Sequence, residues 1–177
     1  LKHLIFIITA IVVNLAPEKI FQQISSFMRK ITEEKFLCDE GVSFWNNHYR
    51  TDLIYALNFL KPYINTDHLL QKVYEQEISV IMHGDFSIFN MGLCDNDSVC
   101  LYDFASGGCS PLWWDWGYFI ACLSQNRGRK IYEALRNDDL LHCVKLASAV
   151  RFGRALRKNE DTEKRCSIFK YWSGIES

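Results

Sequence analysis

The chain has 177 residues, enough for one domain with one sizeable core. Apolar residues make up 49% and charged residues 23%, the balance of an ordinary folded, soluble domain. The net charge of −1 gives no reason to expect nucleic acid or an anionic membrane as partner. The seven cysteines are odd in number and include no C-x-x-C pair, so the close ligand pairs of a zinc site are missing. Cys94 and Cys100 read as two reduced thiols rather than a bridge across a hairpin, and the cysteine usage points to a reducing, cytoplasmic setting.

The sequence begins at Leu1 rather than Met, which is expected of a fragment or a processed product. Leu4–Ala16 is apolar but broken by Thr9 and Asn14, and is shorter than the roughly 20 residues a membrane span needs. It reads as a buried core element in preference to a signal or anchor segment. Pro17 then opens a helix whose apolar face carries Ile20, Phe21, Ile24, Phe27, Met28 and Ile31. Thr51 and Asp52 are candidate caps for a second helix with Leu53, Ile54, Leu57 and Leu60 inward, ended by Pro62. Asn65 and Thr66 precede a third, through Leu69, Leu70 and Val73.

At Ile78 the period changes. Ile78–Met82 is short and β-branched and predicts a strand. Asn90–Cys94 and Ser98–Tyr102 predict two more, joined by the turn signal Asp95-Asn96-Asp97 into a hairpin. Helices are predicted over Trp113–Leu123, Gly128–Arg136 and Asp138–Arg157, the last capped by Asn137 or Asp138. Arg151, Arg154 and Arg157 recur at three-residue spacing; phosphate binding is conceivable, but the preferred reading is a solvated helix face. Trp113, Trp114 and Trp116 read as core packing.

The chemistry-bearing stretch is His83-Gly84-Asp85, with Asn90 five residues after Asp85 and Asp103 beyond the hairpin. Phosphoryl transfer needs a carboxylate to orient the attacking hydroxyl and take its proton, and Asp85 suits that role. It also needs Mg²⁺ across the phosphates, and Mg²⁺ prefers hard oxygen ligands. Asn90 offers an amide oxygen and Asp103 a carboxylate, and the hairpin brings both toward one end. Ser87 has no His or Lys base spaced around it and is not a candidate nucleophile. Asp95 and Asp97 read as solvated turn residues.

His83-Gly84-Asp85-x-x-x-x-Asn90 followed by Tyr102-Asp103-Phe104 resembles the aminoglycoside phosphotransferase and choline kinase superfamily, whose fold is protein-kinase-like. The likeness continues through Pro111-Leu112-Trp113-Trp114-Asp115 and is clear over about residues 78–123. It implies an α+β, predominantly helical C-terminal lobe as a single domain over 1–177, with a small β-hairpin carrying the catalytic and metal loops. It implies Asp85 as the catalytic base, Asn90 and Asp103 as metal ligands, and His83 and Asp115 as supports of the loop. It further implies Mg²⁺, ATP or another nucleoside triphosphate as cosubstrate, and a small hydroxyl compound as acceptor. An N-terminal lobe with a glycine-rich loop and a phosphate-gripping Lys is expected in a working kinase of this kind. Before residue 83 the only glycine is Gly41, and no Lys falls in a strand pattern. The expectation is therefore a C-terminal lobe without its N-terminal partner, acting as part of a phosphotransferase. The alternative is a kinase-like relic or binding module that lacks the nucleotide clamp. A metal-dependent phosphohydrolase using His83, Asp85 and Asp103 ranks third, because two-metal hydrolases cluster more His and Asp.

Overall fold

A computed structural model describes residues 49–76, 78–93, 99–106 and 108–175. The apolar stretch Leu4–Ala16, the amphipathic segment Pro17–Ile31 and the Asp95–Asp97 turn lie outside them. The described chain is mostly helical, with two small antiparallel sheets. Helix α1 spans Tyr49–Leu60 and α2 spans Thr66–Tyr74. Strand β1 is Ile78–Met82; a 3₁₀ turn at Ile88–Asn90 leads into β2, Met91–Leu93. Strand β3 is Val99–Leu101, a second 3₁₀ turn covers Phe104–Ser106, and β4 is Gly108–Pro111. Four helices follow: α3 (Trp114–Cys122), α4 (Gln125–Leu135), α5 (Asp138–Lys158) and α6 (Thr162–Ser173).

The capping chemistry is local. Asn65 Oδ1 accepts from His68 N at 2.9 Å and starts α2, and Asn137 Oδ1 accepts from Leu140 N at 3.0 Å and starts α5. Asn159, with φ of 54°, closes α5 in the left-handed conformation that Asn tolerates well.

Helix α5 is the axis of the core. It packs against α1, α2, α3 and α6. Leu146, Ala147, Ala149, Val150 and Phe152 of α5 are buried, together with Leu53, Ala56 and Leu60 of α1. The close approach of α1 to α5 needs Gly153, because a Cβ there would run into the carbonyl oxygen of Asp52. Helix α3 is apolar on all sides and is correspondingly buried from Trp114 to Ala121, so Trp114 and Trp116 do belong to the core.

Several sequence expectations change. Helix α1 already includes Tyr49, so Thr51 and Asp52 are not its caps. Asp52 is instead buried and paired with Arg157 at 2.8 Å and Arg154 at 3.7 Å, which removes those two arginines from a purely solvated face. Ile54 is exposed and Ala56 takes the inward position. Strand β4 is an addition: Ile78, Ser79 and Met82 pair antiparallel with Pro111, Ser110 and Gly108. The β2–β3 hairpin pairs Met91 with Leu101, Gly92 with Cys100 and Leu93 with Val99, and Asn90 and Tyr102, predicted as strand residues, fall outside the strands.

Candidate active site

The residues His83 to Asn90 leave β1 and cross to β2. Two buried amides of this crossing meet one carboxylate at the start of α3. Asp115 Oδ2 accepts from His83 N at 2.7 Å and Oδ1 accepts from Gly84 N at 3.0 Å. Asp115 lies in the first turn of α3, where a negative charge also faces the positive end of the helix. Burial pushes its carboxyl up to about 6, and the two N–H donors work in the opposite direction.

Gly84 has two reasons to be glycine. Its φ is +81°, and a Cβ would run into the carbonyl oxygen of Ser106. The crossing therefore lies backbone against backbone on the Phe104–Ser106 turn. His83 is fully buried. Its Nε2 is 2.9 Å from the carbonyl oxygen of Tyr102, which can only accept, so that nitrogen carries the proton. Its ring sits 4.5 Å from the ring of Phe104. Phe86 is anchored in the core against Phe119 at 5.5 Å and Trp116 at 5.9 Å. With its neighbours fixed on both sides, Asp85 is left half-buried between two anchors.

Asn90 is buried, and its Nδ2 donates to the backbone carbonyl of Asp85 at 2.9 Å. That bond engages the amide nitrogen and leaves the side chain's other polar atom, the acceptor Oδ1, for a second partner. Tyr102 N donates to Asn90 O at 3.1 Å, extending the β2–β3 pairing by one step. Tyr102 Oη donates to the carbonyls of Phe89 at 2.8 Å and Met91 at 3.2 Å. Asn90 and Asp103 thus belong to the same end of the hairpin. Asp103 is exposed and sits at φ of 63°, a left-handed backbone that is uncommon outside glycine and is concentrated at functional positions.

Among the described residues, no three His, Cys, Asp or Glu side chains come together as a metal site. Asn90 and Asp103 offer a different donor set, one amide oxygen and one carboxylate. Both are hard oxygen donors of the kind Mg²⁺ takes, with water and phosphate completing its shell. A groove of about 980 Å³ between α5 and α6, lined by Phe59, Phe152, Leu156 and Tyr171 among others, contains none of the candidate residues.

A second group, between α5 and α3, escaped the sequence reading. Arg151 of α5 points at α3, where its Nη1 donates to Tyr118 Oη at 3.1 Å and its guanidinium lies 5.3 Å from the centre of the tyrosine ring. The charge of Asp85 acts on Tyr118, Cys122 and Arg151. Burial pushes the Tyr118 hydroxyl and the Cys122 thiol up, so both stay neutral at ordinary pH. Burial pulls Arg151 down, but Cys122, Tyr118 and Asp85 more than offset it. The three-residue arginine spacing held no signal that Arg151 turns toward α3.

No protein-family model matches the chain, and no curated protein or solved structure is similar to it at the level of a significant match. Among the described residues, no helix is long and apolar enough to cross a membrane.

Proposed function

We propose that residues 83–103 are the catalytic and metal loop of an ATP- and Mg²⁺-dependent phosphotransferase acting on a hydroxyl of a small molecule, within a kinase-like C-terminal lobe. The observation that carries this reading is the pair of bonds from Asp115 to the His83 and Gly84 amides. A fold has little reason to bury a carboxylate under two amides unless the loop above must keep one shape. The residue that this loop then presents is Asp85.

In the proposed reaction Asp85 accepts the proton of the acceptor hydroxyl as its oxygen bonds to the γ-phosphorus. The bond between that phosphorus and the β-phosphate oxygen breaks, and ADP leaves. Asn90 Oδ1 and the Asp103 carboxylate would hold Mg²⁺, which supplies positive charge against the phosphates. The Nδ2 bond to Asp85 O ties the metal ligand to the base, so that the two keep a fixed relation. His83, proton on Nε2, holds the Tyr102–Phe104 segment from which Asp103 extends.

The test is phosphoryl transfer from γ-labelled ATP to a panel of hydroxyl compounds, run beside Mg-ATP binding. Asp85→Asn is expected to lower transfer by about 10²–10⁴-fold while leaving Mg-ATP binding in place. Asp103→Ala is expected to weaken binding only when Mg²⁺ is present. Equal Mg-ATP binding by the wild type and Asp103→Ala would sink the proposal. Mg-dependent nucleotide binding with no transfer to any acceptor would favour the relic reading instead.

A further inference from the structure

Asn90 directly precedes β2, and Asp103 follows β3 by two residues. The relation between the two side chains therefore depends on the rung that joins Asn90 to Tyr102, one step past the pair Met91 and Leu101. In a regular antiparallel ladder a hydrogen-bonded pair exchanges two bonds. This rung is made differently. Tyr102 N donates to Asn90 O at 3.1 Å, but Asn90 N turns back to Ser87 O at 3.0 Å, inside its 3₁₀ turn. The Tyr102 carbonyl, released from the ladder, accepts from His83 Nε2 at 2.9 Å. One bond fixes a distance between the strands but not an angle.

The Tyr102 side chain supplies the restraint that the ladder lacks. Its Oη lies 2.8 Å from Phe89 O and 3.2 Å from Met91 O, the carbonyls on either side of Asn90. Together with the backbone bond, it ties Phe89, Asn90 and Met91 to one residue of the opposite strand. The ring reaches them past Gly92, where a Cβ would lie 3.6 Å from Tyr102 Cε1 and 2.9 Å from Cys100 Sγ. Tyr102 is exposed, so water could take the place of these partners and their net contribution to stability is small. What the bonds fix is direction, on the residue that carries a candidate metal ligand.

We propose that Tyr102 is a positioning residue whose hydroxyl fixes Asn90 Oδ1 relative to the Asp103 carboxylate, and so sets how well the pair fits Mg²⁺. The metal comes from the phosphotransferase reading, on which the inference rests; the clamp itself stands on the bonds of Tyr102 N, O and Oη. His83 hangs on the carbonyl of Tyr102 and Asp103 is its next residue, so the crossing and both ligands meet there. Mg²⁺ demands a near-ideal octahedral shell, whereas Ca²⁺ accepts a looser one. A clamp of this kind therefore acts on Mg²⁺ more than on Ca²⁺.

The experiment is calorimetric titration of the full 177-residue chain with ATP in the presence of Mg²⁺, Ca²⁺ or EDTA. Tyr102→Phe keeps the ring and removes only the hydroxyl. It is expected to cut the gain in ATP affinity that Mg²⁺ gives by about three- to tenfold. Binding with Ca²⁺ or in EDTA should change by less than about twofold. Tyr63→Phe, at an exposed tyrosine of the α1–α2 connection, should change none of the three. In the nucleotide-free protein, amide exchange at Asn90 and Tyr102 should accelerate in Tyr102→Phe, while His83 and Gly84, held by Asp115, keep their rates. A gain from Mg²⁺ that is lost in Asp103→Ala but untouched in Tyr102→Phe overturns this inference alone. Equal losses with Mg²⁺, Ca²⁺ and EDTA also overturn it, since they would make Tyr102 a general support of the fold. A wild type whose ATP binding is indifferent to Mg²⁺ overturns the phosphotransferase reading and takes the metal task of Tyr102 with it.

Discussion

Around α5 the chain is held by apolar contact in depth. Phe152 stacks on Phe169 with ring centres 6.1 Å apart and meets Phe59 edge-on at 5.9 Å, and its side chain is fully buried. The crossing from His83 to Asn90 is held differently: two amides on one carboxylate, one imidazole on one carbonyl, one amide on another carbonyl. The first region has many partners for every side chain, so its energy is spread. The second puts its shape into a handful of polar bonds, where each bond fixes one direction and none has a substitute. A core built by area tolerates adjustment, whereas a site built by single bonds is accurate and fragile.

Substitutions on the two sides should separate these modes. The largest loss is expected from Phe152→Ala, about 3–5 kcal/mol, read as a lower urea midpoint that all probes follow together. Asp115→Ala should cost less overall, about 2–4 kcal/mol, because it orphans two buried N–H groups. Its signature is local: amide exchange at His83 and Gly84 should accelerate more than exchange in α5. Uniform acceleration along the chain would mean that the crossing is not a separate unit.

The smallest effect is a pH slope. The Asp115 carboxyl is raised in the folded state to about 6 from its ordinary value of 3.8. The folded protein therefore keeps a proton that the unfolded chain has released, and stability from this group is fully present below that lower value. It is lost as pH rises through about 6. Urea midpoints taken across this window should fall with rising pH in the wild type, and the fall should flatten in Asp115→Asn. A slope that is the same in both proteins would place the linkage elsewhere.

Much of this architecture was legible from period and punctuation. The strand at Ile78–Met82, the hairpin pairing, and the helices around Leu69, Trp114–Cys122 and Asp138–Lys158 follow from β-branching, turn residues and caps. Strand β4 did not, because Gly108-Cys109-Ser110-Pro111 has no alternation of its own and is a strand only through pairing with β1. Helix α6 was likewise not singled out, since its few buried residues, Ile168, Phe169 and Trp172, come late in a polar sequence. The arginines of α5 misled for a geometric reason. A helix surrounded on several sides by others has little solvated face, so charged residues must find partners inside, Asp52 for two of them and Tyr118 for the third. The candidate site was legible as spacing, from His83 to Asp103, but not as shape. Nothing in the one-dimensional pattern says that Asn90 bonds the carbonyl of Asp85 or that Gly84 lies against Ser106.

The left-handed backbone at Asp103 has a consequence for how this position can drift over generations. Glycine, asparagine and aspartate occupy such a conformation at little cost, and β-branched residues do not. The fold therefore filters mutations here to a short alphabet before any chemistry is asked of it. Within that alphabet glycine discards the side-chain oxygens, asparagine keeps an oxygen without its charge, and aspartate alone keeps both. In a lineage with no selection on the carboxylate, this site would wander among the three at almost no structural penalty. Sister sequences that hold aspartate there would record selection on the carboxylate itself, separate from any need of the backbone.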